Sequence, residues 1–273
     1  MARLALEFQA LWGAVLAYVG AGAAGLAGVV LRRLPARLVL GLLLAGIALH
    51  TLSLGLRWAR LGHGPFTSLF EILSSGVWGF AAAYAAAFAW LRVMRPTVVV
   101  VMPVLYLMLG WMIRAGAHDT VLPPTYETVW LYVHVALSKL FQGTLLVAAG
   151  VAGVVLARRA GLRGGLLAAM PADEALTELA YRFMAVALVF DSLMLVAGAV
   201  WAQDAWGRWW AWDPLETWSF LTWLTLGFAL HTRVTLRPGP VLSAAMVWAV
   251  FALAFLTFFG VPFVSQAPHK GAV

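Results

Sequence analysis

Long apolar runs separated by short clusters of Arg, Pro and Gly set the pattern of the chain. Eight such runs are read between the polar clusters, at residues 6–31, 38–56, 68–91, 98–113, 129–156, 183–201, 218–230 and 241–259. A bilayer offers the backbone no hydrogen bonds, so runs of this kind are expected to be helices that satisfy their own N–H and C=O groups. The pattern therefore predicts an all-α, polytopic membrane protein of about eight transmembrane helices, with residues 1–273 forming a single transmembrane domain. An even number of crossings puts both termini on one side. The first run is long, has no basic cluster ahead of it and is followed by further spans, so it is expected to stay as a helix rather than act as a cleaved signal. No internal repeat, low-complexity tract or linker interrupts the pattern. The longest connection on one side, 157–182, carries Asp173, Glu174 and Glu178 behind Pro171 and predicts a short amphipathic helix on the membrane surface.

Composition agrees. Of the 273 residues 63% are apolar and 11% charged, against about 25% charged in a soluble domain. The absence of cysteine excludes disulfides, thiolate metal sites and iron–sulfur clusters carried by this chain, so thiol chemistry must come from a partner. A net charge of +7 does not point to nucleic acid, because the cations stand singly or in pairs at the ends of apolar runs. They orient helices in the lipid bilayer. Arg32, Arg33, Arg37, Arg92, Arg95, Arg158, Arg159, Arg163, Arg182, Arg233 and Arg237 fall on one side, which the positive-inside rule makes cytoplasmic. The expectation is a multi-pass protein of the cytoplasmic membrane with both termini outside.

The unusual chemistry lies at 201–218, predicted to be external, where six residues are tryptophan. Interfacial anchoring needs one or two per helix end, and a denser cluster makes a π-rich surface suited to a large, flat, apolar ligand. A dense anchor is the plain alternative. Asp213-Pro214-Leu215-Glu216 also reads as a helix start, with Asp as N-cap, Pro at the first helical position and Glu three residues after the cap.

A flat ligand with a metal centre would need axial donors. His134 and His269 fall on the same predicted side as the tryptophans, and two imidazoles could hold a porphyrin iron there. Each alone could equally be a solvated loop histidine, as expected for His63 and His118. His50 and His231 lie within apolar runs, where an ionisable group suggests function. His231 lies roughly 20 Å and His50 roughly 10 Å from the outer ends of their runs, so their depths do not match for one shared iron. Asp191, midway along the sixth run, either hydrogen-bonds a neighbouring helix or handles a proton.

The segment Trp206-Gly207-Arg208-Trp209-Trp210-Ala211-Trp212-Asp213-Pro214-Leu215-Glu216-Thr217-Trp218 closely resembles the "WWD" signature of haem-handling proteins, in the form found in the CcsA (ResC) family. Gly64 to Glu71, Trp130 to Val135, His231-Thr232-Arg233 and Thr257-Phe258-Phe259-Gly260-Val261 followed by a histidine resemble further blocks of that family. The resemblance implies system II cytochrome c biogenesis, in which haem b is a transported substrate, carried outward with a CcsB-like partner and attached to apocytochrome c. It also implies that His134 and His269 are the external axial ligands, that His231 belongs to an inner site completed by the partner, and that His50 is a weak candidate there. Pro262 departs from the Asn common at that position. On this reading Trp206, Trp209, Trp210, Trp212 and Asp213 belong to the haem-binding segment, and Arg208 pairs with a propionate or caps a local carbonyl. The implied activity is that of a cytochrome c haem lyase working with CcsB, achieved by orientation and water exclusion and without catalytic acid–base residues. Two alternatives are a haem exporter that forms no covalent bond and a cytochrome b-type electron-transfer subunit using His50 and His231.

Overall fold

The computed structural model describes residues 2–261, so His269 and Pro262 lie outside the described residues. The described residues contain no strand. Their α-helices are α1 (Ala2–Val30), α2 (Ala36–Leu61), α3 (Leu69–Trp90), α4 (Val98–Ala115), α5 (Val129–Arg159), α6 (Gly165–Ala168), α7 (Asp173–Trp206), α8 (Pro214–Thr235) and α9 (Pro240–Phe259). Seven of these are long and apolar enough to cross a membrane. The eighth expected span, α8, has 22 residues, enough length for a crossing, but Glu216, His231, Arg233 and its threonines dilute its apolar character. The protein is thus an all-helical, polytopic membrane protein.

Contacts between helix ends show that the long helices run alternately up and down. One end of the bundle gathers Glu7 near the start of α1, Arg57 near the end of α2 and Glu71 in the first turn of α3. The same end carries Asp119 after α4, where Arg60 reaches it. Tyr132 at the start of α5 stacks on Trp58 with ring centroids 5.4 Å apart. Thr257 near the end of α9 donates to the Trp218 carbonyl at the start of α8. The opposite end collects the arginine-rich connections.

At the first end Arg57 is 3.0 Å from Glu7 and 2.8 Å from Glu71, with all three side chains buried. Burying ions is costly unless every remaining donor and acceptor is used. Here Glu71 also accepts from Thr67 and closes a capping box with Ser68, and Arg57 donates to the His118 carbonyl. The network fixes three helix ends in one register. His63, expected to be solvated, is instead 5% exposed, its ring nitrogens 3.0 Å from the Gly64 carbonyl and 2.9 Å from that of Thr120. Two carbonyls facing one ring clamp the loop before α3 to the loop after α4.

The connection between α5 and α7 differs from its expectation. Residues from Asp173 onward do not form a separate surface helix, because α7 runs unbroken for 34 residues. Arg158 at the end of α5 explains where the chain turns: it binds Asp173 at 2.7 Å and donates to the Leu167, Met170 and Pro171 carbonyls. These contacts hold the start of α7 directly against α5. Helix α5 is the axis of the bundle, packing along α7 and also against α3, α4 and α9.

Candidate functional site

Helix α7 ends at Trp206, where Gly207 adopts the left-handed conformation (φ 77°) and donates to the Gln203 carbonyl, a C-cap that suits a residue without a Cβ. Helix α8 begins after Asp213, whose side chain accepts from the Glu216 N–H at 2.9 Å in a capping box, with Pro214 in the first turn. The carboxylate of Glu216 accepts from the Ala211 N–H at 2.7 Å. Asp213 and Glu216 therefore shape the tryptophan loop between two helix ends, and Asp213 is the structural cap that its sequence context also allows.

The six tryptophans do not form one flat surface. Trp201 and Trp206 turn inward: their ring centroids lie 5.0 Å apart, and each meets Tyr126 edge-on at 5.7 and 5.6 Å. Trp201 also donates from Nε1 to the Tyr126 carbonyl at 2.9 Å. Trp210 and Trp212 form an edge-to-face group with Phe220, while Trp209 and Trp212 remain exposed. Trp212 holds φ at 57°, a left-handed value uncommon for an aromatic residue. Arg208 is exposed and has no ion-pair partner among the described residues. Nor does it cap a carbonyl among the described residues.

His134 packs against this construction from α5. Its ring is nearly parallel to that of Trp201, with centroids 6.1 Å apart and planes 16° apart. Its Nδ1 lies 2.9 Å from the Met194 carbonyl on α7. A carbonyl only accepts, so this contact puts a proton on Nδ1, and a neutral ring in that arrangement presents Nε2 as the nitrogen suited to an iron. Gly198 makes the approach possible, because a Cβ there would stand 2.8 Å from Nδ1. His134, Gly198, Trp209, Trp210, Ser219 and Phe258 line a cleft with about 430 Å³ of unfilled space, of which about 50 Å³ is roomy enough for water. A porphyrin needs far more than that inner space, so it would lie across the mouth or require the tryptophan loop to move outward. Trp210 Nε1 is buried with no hydrogen-bond partner among the described residues, a donor available to a ligand in the cleft.

The other candidates fall elsewhere. His50 is completely buried among α1, α2 and α3, with Nε2 2.9 Å from Ser74 Oγ and Nδ1 3.4 Å from Tyr18 OH. Both nitrogens face protein partners, which makes this an interhelical polar contact. His231 is exposed near the arginine-rich end of α8, 3.4 Å from Thr235 Oγ1. It is about 25 Å along the helix from Pro214. The two histidines do not face one another, so His50 and His231 form no bis-histidine site of the cytochrome b kind. Asp191 is fully buried, and neither carboxylate oxygen has a hydrogen-bond partner among the described residues. Of the two roles its sequence position left open, the interhelical bond is not formed among the described residues. Sequence reasoning missed Gly198, the Met194 carbonyl, Ser219 and Phe258. Only the small Ala197-Gly198-Ala199 step hinted at a close approach.

A family model described as cytochrome C assembly protein matches residues 66–269. Among curated proteins, the chain is 27% identical over 245 residues to cytochrome c biogenesis protein CcsA of Guillardia theta, covering 81% of this chain and 80% of that one. It is 29% identical to the protein of that name from Synechococcus sp. (strain RCC307), over 73% of each chain. For the one from Gloeobacter violaceus the values are 27% and 88% of each chain. Among solved structures, cytochrome c haem lyase CcmF superposes with a TM-score of 0.76 at 18% identity. That match covers 99% of this chain and 48% of the other, so this chain spans about half the length of CcmF and shares its fold.

Proposed function

Because the chain belongs to the cytochrome c assembly protein family, in its CcsA branch, we propose that it serves cytochrome c biogenesis by holding haem b as cargo at His134 beneath the tryptophan loop. The observation that carries this reading is the His134 ring itself. It is oriented by the Met194 carbonyl, given room by Gly198 and opens onto a cleft lined by Trp209 and Trp210. Family resemblance supplies His269 as the second axial ligand and the extracytoplasmic face of the cytoplasmic membrane as the location of the site.

In this reading the exposed Trp209 and Trp212 cover the porphyrin plane, and Arg208 receives a propionate. Trp201 and Trp206 fix the ring of His134 and the floor of the loop. The attachment itself adds each cysteine S–H of a Cys-x-x-Cys-His segment across a vinyl C=C: sulfur bonds one carbon and the proton ends on the other. The chain contributes ligation, alignment of the vinyl edges and exclusion of water. His231, exposed on α8, suits an inner site whose second ligand comes from a CcsB-like partner, and about 25 Å of helix separates it from the start of the tryptophan-bearing end.

The test is haem attachment to an apocytochrome c peptide by the purified chain, with and without a CcsB-like partner, in the presence of reduced haem. Thioether formation that requires this chain and its His134 is the expected result. Haem binding and release without any covalent product would favour the exporter reading instead.

A further inference from the structure

On the side of α5 facing α3, away from the tryptophan cleft, lies an apolar groove of about 740 Å³. Its wall on α3 is Ala82, Ala83 and Ala86, residues too small to fill it, with Gly79 beneath the stem of Lys139 of α5, which also lines it. We infer that this groove seats a membrane-spanning helix of a partner protein that carries a carboxylate at the depth of Lys139.

Gly79 and Ala83 already meet Lys139 and Gly143 of α5, while Ala82 and Ala86, one turn apart, leave room for a second backbone to approach α3 closely, the usual basis of helix association in lipid. Lys139 supplies the chemistry. Its aliphatic stem crosses α3 at Gly79, with Cβ, Cγ and Cδ 3.3 to 3.6 Å from where a Cβ on that glycine would stand. It makes no ion pair and no hydrogen bond among the described residues. A lysine within a spanning helix is expensive and is normally paired or engaged in function. Ten residues separate it from the start of α5, about 15 Å along the axis. That depth is beyond a lipid phosphate, and an acyl chain offers no acceptor.

A second copy of this chain does not supply the missing anion. Its mid-helix carboxylate, Asp191, is fully buried in its own core, and Glu7, Glu71 and Glu216 sit near helix ends in the capping and ion-pair contacts described above. The occupant is therefore a helix from a different protein. This inference stands apart from the haem reading, since neither Lys139 nor the groove touches the His134 cleft.

The absence of native cysteine makes single-cysteine cross-linking direct. The full chain carrying Ala83→Cys is reconstituted in lipid nanodiscs with a synthetic Ala/Leu helix of about 21 residues that bears one cysteine and, at its middle, Glu, Gln or Lys. The Glu helix should cross-link about fivefold or more above the Gln helix, the worth of one interhelical polar contact. Lys139→Met should remove that preference, and Lys139→Glu should transfer it to the Lys helix. Leu16→Cys, on the exposed face of α1, should show no preference in any case. Equal yields from the three helices at Ala83→Cys, a preference unaffected by either Lys139 substitution, or cross-links between two copies of the chain alone would overturn the inference. Haem binding measured on the same samples separates failure of the groove from failure of the haem site.

Discussion

At the residue scale, the site depends on one imidazole being held in one tautomer and one orientation. Gly198→Ala tests this without touching a proposed ligand. The added methyl would meet His134 Nδ1 at 2.8 Å and force the ring off the Met194 carbonyl, at a cost of about 1–3 kcal/mol typical of overpacking. Alanine is also a better helix former than glycine, so haem affinity should fall while α7 stays intact. Haem titration of the single and double variants checks the coupling: Gly198→Ala should add little once His134→Ala has removed the ring. The sequence pointed to His134 because an imidazole near a tryptophan-rich segment carries its own chemical signature. It could not point to Met194, since a backbone carbonyl has no residue signature, and it took His63 for a solvated histidine. Only folding shows that His63 faces two carbonyls and His134 a cleft. His50 shows the limit in the other direction: a histidine in an apolar run suggested function, and the folded chain gives it Ser74 and Tyr18 as partners.

At the element scale, helix starts were easier to read than helix lengths. The cap at Asp213 is written in four consecutive residues and formed as expected. The continuity of α7 through Asp173 depends on Arg158 fifteen residues earlier, a tertiary contact that periodicity does not encode. The ends of α1, α2 and α3 depend in the same way on Arg57. Arg57→Met leaves Glu71 buried with no cation among the described residues, while Glu7 keeps Arg60 at 2.9 Å, and breaking a buried pair costs about 3–5 kcal/mol. The expected outcome is a large loss of thermal stability in detergent with membrane insertion unchanged, partly recovered when Glu71→Gln removes the orphaned charge while keeping a residue suited to the capping box. Exposed Asp119 is a weaker tie. The hydrogen bond from Arg60, aided by its charge, holds the Asp119 carboxyl below its usual range. Its contribution is therefore present at neutral pH and is lost only as acidification passes through that lowered value.

At the scale of the whole molecule, the apolar runs and the division of arginines made the architecture legible. The up-and-down order of helices agrees with that division, since the expected cytoplasmic arginines gather at the end opposite the tryptophan loop. A reporter inserted after Gly116 should be active only outside the cytoplasm, and one inserted after Gly161 only inside, by the positive-inside rule. The reverse pattern would place the tryptophan loop on the cytoplasmic face and remove the outward route. The contact between α5 and α7 that builds the cleft was not legible, because α5 is apolar on nearly every face and its sequence does not say which neighbour each face meets.

The central claim, that His134 ligates haem beneath the tryptophan loop, is tested most directly by the absorption spectrum and haem content of the chain purified with its CcsB-like partner. The comparison is between His134 intact and His134→Ala, each with and without added imidazole. An axial ligand that is lost leaves a vacancy that free imidazole can refill. The account predicts haem loss from the outer site in His134→Ala, recovery with imidazole, and unchanged retention in His63→Ala. Equal haem content and identical spectra in the His134→Ala and unaltered chains, without imidazole, would contradict it.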